Sequence, residues 1–368
     1  MKHKRRADGR LQKKVTVNGK YFTTVYGKTA KELDEKYRAK RDAIERGLMV
    51  LCNPTVSQYF EAYQNARRGV IKPGSLYNTQ SKFSACANVQ LADGAYFGDL
   101  LLRDVKTAHI NTVKTALLER GFNTNSVNQY VGLLKSLFQA AVKERYIDYN
   151  PCAPVKNLRR VEEAARDTIH RALTKEEQRI FFADAINSFH YNFFRLAITT
   201  GMRHGEISTL RYADIRDGML LVKRSATRSE NGATEIGADA KTQSSTRTIP
   251  INPTIAKILA DQKQSNTMLW GNVVSGNDLL FRAEGGGVVH NSVLNNAIQR
   301  ICERQGLIVF STHAFRATFA TEAIEAGVSP RVLMELLGHK NIALTMNLYA
   351  HATDGAKQAA MQKLKIIC

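Results

Sequence analysis

Two strand-like runs followed by a helical run define the amino-terminal pattern of hydrophobic and polar positions. Residues 15–17 and 21–26 are rich in β-branched and aromatic side chains, and the Asn-Gly pair between them is typical of a type I′ hairpin turn. A capping box at residues 29–32 predicts the helix that follows. We therefore predict a sheet-plus-helix domain over residues 1–50.

A helical domain is predicted next, over residues 51–165. Apolar side chains recur at helical spacing in residues 56–67 and again in residues 125–147. Pro151 ends this pattern, and a charged linker that is poor in large apolar residues follows at about 155–170.

The third predicted domain, residues 166–368, mixes helices with a small sheet. A capping box at residues 174–177 starts its first helix, and strand-like runs at 220–223 and 247–251 suggest an antiparallel pair. Helices return after Asp278. The whole chain is thus predicted to be an α+β multidomain protein with an all-α middle domain and a mostly α final domain.

Charge narrows the class of partner. The 368 residues contain 53 Lys and Arg against 33 Asp and Glu, a net charge of +20, which favours nucleic acid first and an anionic membrane surface second. Residues 1–50 are the most basic part, with 15 basic and 6 acidic residues. No apolar run approaches the roughly 18 residues that span a bilayer. The five scattered cysteines suggest neither a disulfide framework nor a zinc site, so we expect a soluble protein of a reducing cytoplasm.

One candidate for chemistry is Arg203, in the run TGMRHGEI. Gly201 permits a tight turn, and helical spacing resumes at Ile207, so Arg203 should start a helix where unpaired backbone N–H groups add positive potential. Glu206 lies one turn on and could brace it. The alternative is an ordinary surface arginine in an ion pair.

A second set of candidates lies between residues 312 and 351. His313 and Arg316 are three residues apart and share a helical face, with Thr312 as the expected cap. His313 alone could equally be a core histidine, but a histidine and an arginine on one face suit an anionic substrate.

The same stretch continues with a helix that Ser329, Pro330 and Gly338 should delimit. His339 follows the stop, and Tyr349 lies ten residues further on. Tyr349 alone could be a core aromatic.

Together these motifs resemble the tyrosine recombinase (phage integrase) family. Arg203 in TGMRHGEI, His313 and Arg316 in HAFRATFAT, His339 in LLGHKNI and Tyr349 in NLYAH follow that family's order over about 150 residues. The resemblance implies that the phenol of Tyr349 attacks a DNA phosphate and forms a 3′-phosphotyrosyl intermediate, with neither metal nor cofactor. It also implies a lysine on a β-hairpin, for which Lys241 is the candidate and Lys223 the alternative; Glu206 would be structural.

The resemblance extends to the other two domains. The first is similar to the arm-site-binding domain of lambda-like phage and conjugative-transposon integrases, and the second resembles the family's core-binding domain. The implied partners are arm-type and core-type attachment sites in double-stranded DNA, further copies of the chain in a tetrameric synapse, an excisionase and a host DNA-bending protein. The predicted amino-terminal DNA contacts are Lys4, Arg5, Arg6, Arg10, Lys13, Lys14, Lys20 and Tyr21, although this basic run could instead be a solvated arm.

Three functions fit these observations. The first is a site-specific integrase of a phage or mobile element. The second is a type IB topoisomerase-like enzyme that nicks and closes DNA without exchanging strands. The third is a non-catalytic DNA-binding regulator, which the complete set of predicted catalytic residues disfavours.

Overall fold

A computed structural model describes residues 4–5, 11–17, 20–45, 53–159, 171–237, 246–271 and 275–338. Contacts group the chain into two units, Met1–Val161 and Glu162–Cys368. The predicted division of the first unit near residue 50 stays a prediction.

The amino-terminal part of the first unit is an antiparallel sheet with a helix on one face. Its strands are β1 (Lys4–Arg5), β2 (Leu11–Val17) and β3 (Lys20–Gly27), in the order β1-β2-β3. They precede α1 (Ala30–Glu45). Because side chains alternate along a strand, Val15 turns inward, where it packs with Val25 and Leu33 in a small core.

The rest of the first unit is helical, as predicted. Its helices are α2 (Val56–Arg67), α3 (Pro73–Ala87), α4 (Thr107–Glu119) and α5 (Thr124–Lys143). Thr55 and Gln58 form a reciprocal capping box that starts α2. A continuous apolar core includes Phe60 stacked on Phe83, with ring centroids 3.7 Å apart.

The second unit begins with helices and then forms a small sheet. Its helices before the sheet are α6 (Lys175–Ala185), α7 (Tyr191–Thr200) and the single turn α8 (His204–Ile207). The strands β4 (Ile215–Arg216), β5 (Met219–Val222) and β8 (Arg247–Pro250) form an antiparallel sheet in the order β4-β5-β8. The two predicted strands of this domain are therefore confirmed as a pair.

Two elements of the second unit were not predicted. A separate hairpin, β6 (Ala226–Arg228) and β7 (Thr234–Ile236), occupies the polar stretch between the sheet strands. Helix α9 (Pro253–Trp270) follows the sheet. The remaining helices are α10 (Asn291–Gln305), α11 (Thr312–Glu325) and α12 (Pro330–Leu337).

An aromatic core fixes the helices that carry the predicted site. Phe181 of α6 lies 5.7 Å from Phe194 of α7 and 5.7 Å from Phe315 of α11, measured between ring centroids. All three rings are buried. Large buried aromatic groups contribute strongly to packing energy, so this cluster holds α11 firmly beside α7. Among the described residues, no helix has the length and apolar character needed to cross a bilayer.

Candidate active site

The turn between α7 and α8 sets the position of Arg203. Gly201 ends α7 in the left-handed conformation with φ of 63°, which favours glycine. A Cβ at this position would lie 2.5 Å from the ring of Phe319, so both the backbone conformation and the lack of space for a side chain favour glycine. Arg203 then forms the N-cap of α8, as predicted. Its side chain is 40% exposed.

Glu206 is the carboxylate that Arg203 and Arg247 share. Its carboxylate accepts hydrogen bonds from the backbone N–H and the Nη1 of Arg203, at 2.9 and 3.0 Å. Arg247 donates to both carboxylate oxygens, at 3.0 and 2.7 Å. Burial alone would raise the pKa of Glu206, but the hydrogen bonds and charge of Arg247, with Arg203, hold that pKa below its usual range. The carboxylate is therefore ionised and braced from two sides.

Arg316 connects two segments that are distant in sequence. It projects from α11 and is 8% exposed. Its Nη1 donates to the carbonyl of Gly201 at 2.7 Å, and its Nη2 donates to the carbonyl of Leu337 at 2.6 Å. The first carbonyl lies two residues before Arg203, and the second lies two residues before His339. Arg316 thus ties together the backbones that carry two other predicted catalytic residues.

Arg247 makes a similar connection and was not predicted as a site residue. Besides Glu206, it donates from Nε to the carbonyl of Leu336 at 2.7 Å. Two arginines therefore satisfy carbonyls at the carboxyl-terminal end of α12, where cations are favoured. Gly338 ends that helix with φ of 64°. A Cβ there would lie 2.9 Å from Nη1 of Arg247, so glycine permits this close approach.

The charge of this cluster is unbalanced. Among the residues that the structure describes, Glu206 is the carboxylate that Arg203, Arg247 and Arg316 share, and these four side chains carry a net charge of +2. Burial, together with repulsion from Arg203, lowers the pKa of Arg316 to about 9, so its guanidinium remains charged at neutral pH. A guanidinium has five N–H groups, and Arg316 can hold both carbonyls and still reach an anion. Such a cluster is chemically suited to bind a phosphate or another oxyanion.

His313 lies on α11 at the edge of this cluster and is exposed. Its ring is 6.3 Å from the ring of His204, edge to face. Burial, followed by the charges of His313 and His290, lowers the pKa of His204 to about 4. His204 is therefore a neutral group at pH 7. The prediction that Thr312 caps α11 is wrong, because Ser311 is the N-cap and Thr312 is the first helical residue; the Thr312 hydroxyl instead donates to Asn291 Oδ1 at 3.0 Å.

The other predicted catalytic residues, Lys241, His339 and Tyr349, lie outside the described residues. The alternative lysine, Lys223, lies within them. Its Nζ is 3.5 Å from Oδ1 of Asp214, a buried carboxylate that Arg224 also contacts.

The predicted amino-terminal DNA contacts are described only in part. Lys13 faces α1, where its Nζ lies 2.9 Å from Asp34 and 4.0 Å from the ring centroid of Tyr37. Lys14, on the opposite face of β2, is exposed. Arg6 and Arg10 lie outside the described residues, and for four further positions only the strand placement is described, namely Lys4, Arg5, Lys20 and Tyr21.

Comparison with known proteins identifies the family. Residues 168–355, just over half of the chain, match the phage integrase family. The chain belongs to the phage integrase family. It is therefore a tyrosine recombinase, which cuts and rejoins DNA strands. Residues 55–158 match the phage integrase SAM-like domain.

Similar proteins extend over most of the chain. A tyrosine recombinase XerC-like protein of Caldanaerobacter subterraneus subsp. tengcongensis is 27% identical over 94% of this chain and 92% of its own length. The transposase from transposon Tn916 of Enterococcus faecalis is 25% identical, over 90% of this chain and 83% of its own.

Two solved structures share the fold. The Tn1549 transposon integrase in complex with a circular intermediate DNA has a TM-score of 0.67 and 22% identity, over 84% of this chain and 99% of its own. A lambda integrase dimer bound to a COC′ core site has a TM-score of 0.60 and 18% identity, over 100% and 97% respectively. The α+β multidomain fold predicted from the sequence is confirmed.

Proposed function

We propose that this tyrosine recombinase integrates and excises a phage or other mobile element with Tyr349 as its nucleophile. The phenolic oxygen of Tyr349 attacks the scissile phosphorus, and the bond from phosphorus to the 5′ oxygen breaks. The resulting 3′-phosphotyrosyl bond preserves the energy of the phosphodiester. The 5′ hydroxyl of a partner strand then attacks the same phosphorus and releases Tyr349, so neither ATP nor a cofactor is needed.

Arg203 and Arg316 bind the non-bridging oxygens of the scissile phosphate in this mechanism. The observation that carries the proposal is the net charge of +2 that Arg203, Arg247, Arg316 and the Glu206 carboxylate carry together. Planar guanidinium groups match phosphate geometry, and one such preorganised donor contributes about 3 kcal/mol to transition-state stabilisation. Because Arg316 also holds the end of α12, the same residue would position the segment that leads to His339 and Tyr349.

The remaining roles concern protons and support. Lys241 protonates the departing 5′ oxygen; the ion pair of Lys223 with Asp214 favours Lys241 over Lys223, because it holds the Lys223 ammonium on a structural carboxylate. His313 orients or exchanges a proton with a phosphate oxygen, and His339 donates to a non-bridging oxygen. Glu206 braces the two arginines that contact it.

The rest of the chain presents the DNA. Residues 1–50 would bind arm-type sites, and the helical and catalytic domains would bind core-type sites in double-stranded DNA. Four copies would assemble on the two recombining duplexes, and an excisionase and a host DNA-bending protein would set the direction. The nucleoid of a bacterial host, in the cytoplasm, is the proposed place of action. The net charge of +20 supports such salt-dependent contacts with phosphates.

The nucleophile is tested with a nicked duplex that contains the core site. The site can be found in the DNA beside the coding region, where an integrated element leaves a repeat. After strand cleavage the short 5′-hydroxyl fragment diffuses away, so the covalent adduct accumulates and can be counted on a denaturing gel. Wild-type protein should form the adduct, with the DNA-linked peptide containing Tyr349. Tyr349→Phe should bind the duplex and form none; an adduct in that variant would assign the nucleophile elsewhere.

Two further conditions separate this mechanism from its rivals. EDTA should leave the adduct yield unchanged, and a loss of adduct would contradict a mechanism based on fixed cations. Supercoiled plasmid without a core site should stay supercoiled. Relaxation of that plasmid would instead favour the topoisomerase-like function, and absence of any adduct from wild-type protein would favour the non-catalytic regulator.

A further inference from the structure

Each oxygen of the Glu206 carboxylate accepts one hydrogen bond from Arg203 and one from Arg247. Oε1 accepts from the Nη1 of Arg203 and from the Nη1 of Arg247, each at 3.0 Å. Oε2 accepts from the backbone N–H of Arg203 at 2.9 Å and from the Nη2 of Arg247 at 2.7 Å. A rotation of the carboxylate would break bonds to both arginines, so Arg247 fixes the plane against which Arg203 is held.

Arg203 depends on this support because its own helix is short. It is the N-cap of α8, which is a single turn, and its side chain is 40% exposed. A long side chain with that exposure has many rotamers available. The contact with Oε1 of Glu206 limits these rotamers and directs the guanidinium, so the placement of Arg203 is only as precise as the placement of the carboxylate.

Arg247 is held in turn by the end of α12. Its Nε donates to the carbonyl of Leu336 at 2.7 Å, and its Nη1 and Nη2 donate to Glu206, so each guanidinium nitrogen makes a hydrogen bond within the protein. The side chain is 10% exposed. A buried guanidinium that is paired with a carboxylate and engaged at every nitrogen is suited to hold other protein groups rather than to bind DNA itself.

The two arginines proposed to bind the phosphate are therefore placed relative to one helix end. Arg316 donates directly to the carbonyl of Leu337 at 2.6 Å. Arg203 is connected to the preceding carbonyl, that of Leu336, through the shared carboxylate and Arg247. The two carbonyls are consecutive, so a shift of either contact at the end of α12 would change the geometry of the phosphate site.

We propose that Arg247 is a positioning residue for DNA cleavage, which acts through Glu206 to hold the guanidinium of Arg203 at the scissile phosphate. The inference rests on the proposed function, in which Arg203 binds a non-bridging oxygen of that phosphate. Displacement of a catalytic group by about 1 Å can slow a reaction on the order of 10²-fold. DNA affinity depends on many other phosphate contacts, so the loss of Arg247 should affect the rate of cleavage far more than binding.

A double-mutant cycle of cleavage rates tests this role. Arg247→Lys keeps a positive charge beside Glu206, but a single ammonium cannot replace the planar fork that holds both carboxylate oxygens and the Leu336 carbonyl. The rate of adduct formation on the nicked core-site duplex is measured at saturating protein for wild type, Arg247→Lys, Arg203→Ala and the double variant, all full-length. DNA affinity is measured for the same set in the Tyr349→Phe background, which also reports that each variant is folded.

Arg247→Lys should form the adduct between about tenfold and a hundredfold more slowly than wild type, while its DNA affinity changes by less than about threefold. In Arg203→Ala the group that Arg247 positions is absent, so the further change Arg247→Lys should slow cleavage by less than about threefold. Arg304→Lys is the matched control, because Arg304 makes an equivalent two-point contact with Asp184, at 3.1 and 2.6 Å; it should cleave at the wild-type rate.

The proposal is overturned if the two substitutions slow cleavage multiplicatively, because Arg247 would then act independently of Arg203. It is equally overturned if Arg247→Lys cleaves as fast as wild type, or if it lowers only the DNA affinity and leaves the rate at saturation unchanged. Failure of the proposed function would look different: wild-type protein would form no adduct at Tyr349, or Arg203→Ala alone would cleave as fast as wild type.

Discussion

Replacement of Arg247 by methionine should destabilise the second unit strongly. The Arg247 side chain is 10% exposed and that of Glu206 is 9% exposed, so the variant would leave a buried carboxylate with Arg203 as its remaining cation. It would also remove the donor to the carbonyl of Leu336. Methionine preserves much of the apolar volume of the stem, which isolates the loss of charge and hydrogen bonding.

The magnitude follows from these contacts. Breaking a buried ion pair typically costs about 3–5 kcal/mol, and the lower end applies because Arg203 still contacts Glu206. The unsatisfied carbonyl adds about 1 kcal/mol. We therefore expect the free energy of unfolding to fall by about 4 kcal/mol. In Arg247→Met/Glu206→Gln the uncompensated charge is absent, so the double variant should be less destabilised than the sum of the single variants by at least about 1.5 kcal/mol.

Urea unfolding followed by tryptophan fluorescence measures this effect. Trp270 is the only tryptophan of the chain and lies in α9, so its emission reports on the second unit. Arg304→Met is the matched control: Arg304 also pairs with a carboxylate, Asp184, but its side chain is 56% exposed, and its loss should cost less than about 1 kcal/mol. The reasoning would be refuted if Arg247→Met cost no more than Arg304→Met, or if the double variant were simply additive.

Three other outcomes are expected. Gly201→Ala should lower the free energy of unfolding by about 2–4 kcal/mol, because the strain of a left-handed alanine adds to the clash of its Cβ with Phe319. Gly218→Ala is the control, since Gly218 has φ of 69° and no atom near the added Cβ and should therefore show the backbone strain alone. Equal losses of stability in the two variants would contradict a clash at Phe319. The pKa of His204 is about 4 in the folded protein and about 6.5 in the unfolded protein, so the unfolded state binds more protons between these two pH values. The free energy of unfolding should therefore fall as the pH drops from 6.5 to 4, and it should fall less steeply in His204→Gln. The same dependence of stability on pH in both proteins would exclude His204 as the cause. Deletion of residues 1–50 should spare core-site cleavage in the adduct assay but reduce integration in a two-plasmid assay, and unaltered integration would remove the arm-binding role.

Local chemistry made much of the fold predictable from the sequence. Helix α12 begins and ends where Ser329, Pro330 and Gly338 indicate, because the cap, the preset φ of proline and the left-handed glycine each act within one turn. The same holds for the capping box at Thr174 and Glu177, which starts α6. Arg203 was placed at a helix start for a similar reason.

The two missed elements lack a strong apolar pattern. Helix α9 buries Ile255, Ile258 and Leu259 in its first half but Gln262 and Asn266 in its second, so its apolar stripe fades. The short strands β6 and β7 are mostly polar. The Asn231-Gly232 pair at their turn, with φ of 83° at Gly232, is the signal that could have predicted this hairpin.

Arg247 could not be assigned from spacing alone because its partners are distant in sequence. Glu206 lies 41 residues away and the Leu336 carbonyl 89 residues away. A weak signal was nevertheless present: Arg247 lies two residues before the buried Ile249 on β8, so both side chains are on the inner face of the sheet. A charged residue on an inward-facing strand position needs a buried partner, and Glu206 supplies it.

Chemical rescue at the scissile phosphate tests the proposed site most directly. The proposal holds that the positive charge of Arg203 neutralises a non-bridging oxygen, so Arg203→Ala should cleave a normal core site on the order of 10²-fold more slowly than wild type. A methylphosphonate at the scissile position removes the charge that Arg203 would meet, and Arg203→Ala should recover at least tenfold in adduct formation on that substrate. An Arg203→Ala protein that cleaves both substrates equally slowly would show that Arg203 does not neutralise the phosphate.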